Sequence, residues 1–298
     1  ILLLALAGGA ADAPRPPAGA ILLADGLGPS DLMALADAGL AGLATGDGGP
    51  TSHVAIIAQS IGLPMLAALG PHLAAVPDGR MLLLDASAGQ LETAPGAQRL
   101  EQAQGEAAAR AAAREAALAH AGEPAITLDG ARIELFANVG SRAEAGIAAG
   151  QGAEGCGLLR TEFLFLDRAA PPSEAEQRDA VQAIADALPG KTLIVRTMDI
   201  GADKPAPWLN LAAEENPALG LRGIRLQLAR RDLLESQLRA LLAVQAPVQI
   251  MLPMVAELSE LETVRVLLHD LAAKAGREPP PLGIMIETPA AALMSAVL

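Results

Sequence analysis

Very few residues here could support cysteine or aromatic chemistry. The single cysteine, Cys156, excludes an intrachain disulfide framework and a thiolate metal cage, and it fits a reducing, cytoplasmic setting. Tyrosine is absent, and the aromatic residues are Phe136, Phe163, Phe165 and Trp208. Base-stacking platforms and aromatic sugar sites are therefore excluded, and the cores must be built from Leu, Ala, Ile and Val. No apolar run reaches the 18 or so residues of a membrane-spanning helix, which predicts no membrane insertion. Positive charge is scarce as well. Lys+Arg is 21 against 34 Asp+Glu, a formal net charge of −13, which argues against non-specific binding to nucleic acid or anionic lipid. What is plentiful is apolar side chain, 52% of 298 residues, enough to exclude general disorder and to fill roughly two domains of ~150 residues.

Neither end reads as a natural boundary. Ile1–Ala13 is apolar but lacks a leading Met and a basic segment, and Pro14, Pro16 and Pro17 follow directly. That pattern fits the cut edge of a longer chain better than a signal peptide. Met294–Leu298 stops inside an apolar run with no terminator, which predicts a second cut edge.

Three blocks lie between. Residues 19–95 alternate short apolar runs with Gly/Pro/Asp turns: strands are expected at Ala20–Ala24, Met81–Leu84 and Gln90–Glu92, and helices at Pro29–Ala38 and from Ser52 to about Gly62. Residues 97–121 are rich in Ala, Glu, Gln and Arg, with a narrow apolar stripe, and Gly122 and Pro124 end the run. They predict one long, mostly polar helix that acts as a connector. From Ile126 onward strand and helix alternate. The strands are Ile133–Asn138, Gly155–Arg160, Thr192–Thr197, Gln249–Met254 and Gly283–Glu287. The helices are Arg142–Ala149, Ser173–Ala187, Gly220–Ala229, Leu233–Ala243 and Ser259–Ala275. A repeated βα unit means an α/β fold, either doubly wound or a barrel. No Gly-rich phosphate fingerprint follows a strand, and nearly every strand ends in a chemically capable residue: Asn138, Arg160 with Glu162, Arg196 with Asp199, and Glu287. In barrels those strand ends form the active-site rim, which favours the barrel.

Charge placement points the same way. Gly155–Arg231 carries ten basic and ten acidic residues, so the acidic excess lies elsewhere. Arginine supplies 18 of the 21 cations, and its planar guanidinium suits phosphate and carboxylate, so a small anion is the expected ligand. Arg178, Arg230, Arg231 and Arg239 read as solvated helix faces. The competing reading for Arg222 and Arg225 is internal pairing with carboxylates.

Two kinds of constellation stand out. In Gly46-Asp47-Gly48-Gly49-Pro50-Thr51-Ser52-His53 the glycines give a permissive loop, Thr51 or Ser52 can cap the following helix, and His53 falls in its first turn. A lone histidine is usually structural, but this setting suits a nucleophile that accepts a phosphoryl group. His72, His120 and His269 have no such context. The second kind puts Arg or Glu directly after a buried strand or beside a turn, as in GLLRTEFLF (157–165), VRTMDIGADKP (195–205), ENPALGLRGIR (215–225) and GIMIETPAA (283–291). Burying such charges is costly without a charged ligand or metal.

These segments, with GGPTSH at 48–53, run from Gly48 to Ala292 in the order found in enzyme I of the bacterial sugar phosphotransferase system, the phosphoenolpyruvate–protein phosphotransferase, and the chain resembles that family. GGPTSH alone is shared with pyruvate phosphate dikinase and phosphoenolpyruvate synthase, whereas RTMDIGADK followed by ENPALGLRGIR is similar to enzyme I in particular. The resemblance implies a swivelling phosphohistidine β/α domain over residues 1–95 and a connector helix over 96–122. Residues 123–298 would be an incomplete TIM (β/α) barrel, about five of its eight strands, that binds phosphoenolpyruvate. It implies that His53 is phosphorylated on Nε2. Arg160 and Arg196 would hold the phosphate and carboxylate of phosphoenolpyruvate, with Lys204 and Arg222 nearby, and Glu287 would be a carboxylate ligand of Mg²⁺. It further implies transfer to the phosphocarrier protein HPr and a homodimer formed through the barrel.

The matched segments leave out the family's HPr-docking helical domain and the last barrel strands. With those strands go a second Mg²⁺ carboxylate, a further substrate arginine and the cysteine thought to protonate the enolate. Cys156 is no substitute, since it reads as a small buried residue within a strand. Five strands alone are expected to expose edges and to be unstable or self-associate. Two other readings stay open: a dikinase or synthase relative that phosphorylates the same histidine, and a non-catalytic piece that only dimerises or binds partners.

Overall fold

The computed structural model describes residues 16–28, 31, 32, 35, 38–49, 52–166, 168–201, 206–209, 211 and 214–298; the side chains of residues 53, 56, 60 and 207 lie outside it. The chain divides into two compact units, one up to Glu115 and the other from Ala116.

The first unit is built on a parallel sheet in the order β1 (Ile21–Ala24), β2 (Gly42–Thr45), β3 (Met65–Leu66). Successive residues of a strand point to opposite faces, and both faces are covered. Leu22 and Leu43 pack with Leu32, Val54 and Ala58 on one side, and Leu23 and Ala44 pack with Leu73 and Leu82 on the other. Helix α1 (His53–Ser60) follows β2. A hairpin of β4 (Leu83–Asp85) and β5 (Gln90–Glu92) turns where Asp85 Oδ1 accepts the N–H groups of Ser87 and Ala88, each at 3.0 Å. Strand β2 was not expected: Gly-Leu-Ala-Thr carries one β-branched residue and sits among glycines, yet all four of its residues are buried. In the expected helix at Pro29–Ala38, Asp31, Leu32 and Leu35 are helical, and residues 29, 30, 33, 34, 36 and 37 lie outside the described residues.

Helix α2 (Ala97–Ala119) has no buried residue. Its 23 residues span ~35 Å at 1.5 Å per residue. Alanine, glutamate and arginine stabilise such a helix without a packed face.

The second unit opens with a hairpin of β6 (Ala125–Ile126) and β7 (Arg132–Ile133). Ile133 therefore belongs to this hairpin and not to the main sheet, whose first strand, β8, is Phe136–Val139. The chain then runs α3 (Arg142–Gly150), β9 (Gly155–Arg160), α4 (Glu174–Ala187), β10 (Thr192–Arg196), α5 (Gly223–Ala229), α6 (Arg231–Ala243), β11 (Val248–Leu252), α7 (Leu258–Lys274), β12 (Leu282–Ile284) and α8 (Pro289–Leu293). Helix starts carry recognisable caps. The Ser141 hydroxyl accepts from Glu144 N, and Ser173 with Glu176 forms a reciprocal capping box.

The five strands are parallel and neighbour one another in chain order, β8-β9-β10-β11-β12. The order never reverses, unlike that of a doubly wound sheet. Same-handed crossovers stepping in one direction put the helices on one face, and α3 packs beside α4, α4 beside α6, and α6 beside α7. The core between them holds Cys156, Leu159, Leu193, Val195, Ile250 and Leu252 from the strands, and Val181, Leu238, Leu241, Leu268 and Leu271 from the helices. On the other sheet face Leu158, Ile194 and Met251 are half-buried and Gln249 and Gly283 are exposed. Register places Arg160 opposite Arg196, and Arg196 opposite Met251, so the charged strand ends align.

Candidate active site

Arg160 is the last residue of β9 and Arg196 the last of β10. The apolar strand residues before them fix where the strands stop, and the chain delivers both guanidinium groups to the C-terminal edge of the sheet. Arg196 is buried. Its Nη2 lies 2.5 Å from Glu162 Oε1 and 3.5 Å from Asp199 Oδ2, and its Nη1 is 3.7 Å from Met285 Sδ. Asp199 in turn accepts from Arg222, at 3.0 Å (Oδ2) and 3.1 Å (Oδ1) from Nη2 and 3.3 Å (Oδ1) from Nε. The result is a buried, alternating chain Glu162–Arg196–Asp199–Arg222. Arg160 stands apart from it: its guanidinium lies 5.5 Å from the centre of the Phe163 ring, and its buried Nε has no hydrogen-bond partner among the described residues. Arg196 Nε and Thr197 Oγ1 are likewise buried and unbonded. Buried arginine donors of this kind are suited to an anionic ligand.

Arg222 is held by an unusual backbone. Gly223, which starts α5, has φ +53°, and a Cβ there would lie 2.8 Å from Met254 Cβ. Gly201 has φ +110°, and its missing Cβ would lie 2.6 Å from the Leu221 carbonyl oxygen. Gly201 lets the segment after β10 approach the turn before α5, and Gly223 lets the start of α5 approach the loop after β11. Arg225 braces the same turn, with Nε donating to Gly220 O at 2.8 Å and Nη2 to Ala218 O at 3.1 Å.

Glu287 lies three residues beyond the end of β12, not on the strand as the apolar run had suggested. Its place is set by the loop after β11. Met254, with φ +60°, donates its N–H to Glu287 Oε1 at 2.8 Å, and the neighbouring Thr288 donates to Val255 O at 2.7 Å while capping α8. Glu287 is exposed, and no described residue engages its Oε2. A single open carboxylate fits Mg²⁺, which takes one or two such ligands and completes its shell with water and phosphate oxygens. Among the described residues no group of three His, Cys, Asp or Glu converges on a metal position.

His53 is in the first unit. It begins α1, whose N-cap Ser52 accepts from Ala55 N at 3.3 Å. The preceding loop is hooked to β1, with Gly46 N donating to Ala24 O and Asp47 N to Asp25 O. The His53 side chain, and Pro50, Thr51 and all of Lys204, lie outside the described residues. The structure thus brings Arg160, Arg196, Arg222 and Glu287 to one edge of one sheet. Cys156 is buried, and burial pushes its thiol up to about 11, so it is no ready proton donor or nucleophile.

Sequence reading missed the groups that support this edge: Thr161, Gln227, Gln237, Met254 and Met285. One signal was available. In α6 a glutamine interrupts the apolar stripe Leu233, Leu234, Leu238, Leu241, Leu242, and Gln237 is as buried as its neighbours.

Comparison with known proteins fixes the family. Residues 114–298 match the PEP-binding domain of the PEP-utilising enzymes, and residues 16–89 match their mobile domain. The chain belongs to the PEP-utilising enzymes. Within that family it is similar to the multiphosphoryl transfer protein of Rhodobacter capsulatus, 46% identical over 285 residues, covering 95% of this chain and 34% of that protein. It is also similar to the phosphoenolpyruvate-protein phosphotransferases of Haloferax volcanii (43% over 290 residues; 94% of this chain, 50% of that protein) and Haemophilus influenzae (37% over 287 residues; 93% and 50%). This PEP-utilising chain is therefore enzyme I-like and spans a third to a half of the length of these relatives. Among its described residues no helix is long and apolar enough to cross a membrane.

Proposed function

We propose that the chain performs enzyme I-type phosphoryl transfer: phosphoenolpyruvate phosphorylates His53, which passes the group to the phosphocarrier protein HPr. The observation that carries this reading is the convergence of Arg160 and Arg196, at the ends of adjacent parallel strands, with Arg222 at the start of α5, on the sheet edge that also carries the open carboxylate of Glu287. Phosphoenolpyruvate is a small, multiply charged anion with a phosphate and a carboxylate, and several arginines at fixed spacing match it. On this reading Arg160 and Arg196 hold the two anionic groups, Lys204 and Arg222 add charge, and the arginines hold the phosphorus in line with the imidazole. The neutral His53 Nε2 attacks phosphorus, the bond from phosphorus to the enol oxygen breaks, and the enolate takes up a proton to give pyruvate. Mg²⁺, when held by Glu287, supplies further neutralisation of phosphate charge.

The first unit is then the swivelling phosphohistidine domain, α2 the connector about which it moves, and the second unit a run of five strands of a (β/α)₈ barrel. Strands in chain order with helices on one face support this reading, as do the matches to the mobile and PEP-binding domains. The test is relay: the chain, Mg²⁺ and labelled phosphoenolpyruvate are mixed with HPr, and label reaching HPr only in the presence of the chain is the expected outcome. HPr that stays unlabelled while the chain itself is labelled would remove HPr as the acceptor.

A further inference from the structure

Met198 lies in the loop that joins Arg196 to Asp199, and neither of its backbone groups bonds to the backbone of a described residue. Both are instead held by buried glutamine side chains. The Gln237 Oε1 of α6 accepts the Met198 N–H at 2.8 Å, and the Gln227 Nε2 of α5 donates to the Met198 carbonyl at 2.6 Å. Gln237 also reaches the neighbouring loop: its Nε2 lies 3.2 Å from Thr161 Oγ1, and that hydroxyl donates to the Arg196 carbonyl at 2.8 Å. Thr161 precedes Glu162, the carboxylate that pairs with Arg196.

One amide therefore ties the loop after β9, which carries Glu162, to the end of β10 at Arg196 and the loop after it, which carries Asp199. Gln227, Gln237 and Thr161 are each 2% exposed or less. In so dry a place an unmade hydrogen bond is expensive, so the amide sets the geometry instead of yielding to it. Isosteric apolar side chains would complete the stripe of α6 equally well, and packing alone does not call for two glutamines.

We propose that Gln237, seconded by Gln227, is a positioning residue that fixes the Arg196 guanidinium for its anionic ligand by clamping Met198 and Thr161. This rests on the reading of Arg196 as a phosphoenolpyruvate ligand.

Two measurements on the whole chain test it, using Gln237→Met, which keeps the volume and removes both bonds. Hydrogen exchange should speed at the Met198 amide by about tenfold or more. The Thr197 amide, which donates to Met251 O, and the Ile250 amide, which donates to Pro281 O, should keep their protection. The dissociation constant for phosphoenolpyruvate with Mg²⁺ should rise about tenfold, and by less than about twofold when Arg196→Lys is already present, because the effect runs through Arg196.

Unchanged Met198 protection overturns the clamp whether or not phosphoenolpyruvate binds. A loss spread equally over all three amides overturns it too, as general destabilisation. The full binding penalty persisting beside Arg196→Lys overturns the route through Arg196. If the unaltered chain fails to bind phosphoenolpyruvate, the substrate reading falls and the exchange result alone decides the clamp.

Discussion

Arg196 and Glu162 face each other at 2.5 Å, with side chains 9% and 3% exposed, at the ends of neighbouring strands. Both charges have left water: Arg196 offsets that cost for Glu162, and Glu162 together with Asp199 offsets it for Arg196.

Arg196→Ala is therefore expected to destabilise the fold by about 3–5 kcal/mol, because it removes the guanidinium that Glu162 and Asp199 share. Glu162→Leu with Arg196→Met should recover most of that loss, since a matched apolar pair leaves fewer buried charges uncompensated. Chemical denaturation of Glu162→Leu, Arg196→Met and the double variant checks this. A double variant as unstable as the sum of the singles would show that the two charges are not coupled.

Arg160 should behave in the opposite way. Among the described residues it has no ion pair, only the face of Phe163. Arg160→Ala is expected to change stability by under about 1 kcal/mol. It should still cut phosphorylation by phosphoenolpyruvate ~10³-fold, as loss of a charge-neutralising arginine does at phosphoryl-transfer sites. Denaturation midpoints and single-turnover labelling rates, read side by side, separate the two effects.

Gly223 stands where backbone and packing both forbid a side chain. Gly223→Ala is expected to cost about 2 kcal/mol, from its positive φ and from the 2.8 Å approach to Met254 Cβ. Because Met254 N–H holds Glu287, the same change should weaken Mg²⁺-dependent binding of phosphoenolpyruvate. Removing the Met254 Cβ with Met254→Gly, measured against Met254→Gly alone, should return part of the stability. No return would place the strain in the backbone alone.

The strands that carry the candidate site were legible because their ends are marked. Gly155–Arg160 stops where an apolar run meets Arg, and the same holds for Thr192–Arg196. Gly42–Thr45 was not legible, because its burial comes from the sheet around it and not from its own residues. Ile133 was assigned to the wrong sheet because apolar character does not tell a hairpin strand from a parallel one. The arginines could be named from residue type and position, but their carboxylate partners could not. That Asp199 sits between Arg196 and Arg222 depends on how α5 returns to the sheet, which only tertiary structure fixes. Gln237 is the clearest case: one polar residue in an apolar stripe, with no sign in the sequence of what it bonds.

The start of α4 gives a pH prediction. Hydrogen bonds from Ser173, and then from Arg168, hold the Glu176 carboxyl at about 2, below its ordinary value of 4.5. A carboxyl whose pKa is lower in the folded state stabilises the fold above its unfolded pKa. That stabilisation is lost as pH falls through the folded value. Glu176 should therefore stabilise fully above about pH 4.5 and progressively less toward pH 2. Glu176→Gln should lower stability at neutral pH, flatten the acid limb of the unfolding curve over that range, and bring the two proteins closest together near pH 2. An acid limb identical in both proteins would show that the capping box contributes nothing through its charge.

The central claim is that phosphoenolpyruvate phosphorylates His53, and labelling tests it most directly. The chain is incubated with phosphoenolpyruvate labelled in its phosphate and with Mg²⁺, alongside His53→Ala. Acid-labile, base-stable label on the chain and none on the variant is the expected result. Equal label on both proteins, or none on a chain that binds phosphoenolpyruvate, would contradict it.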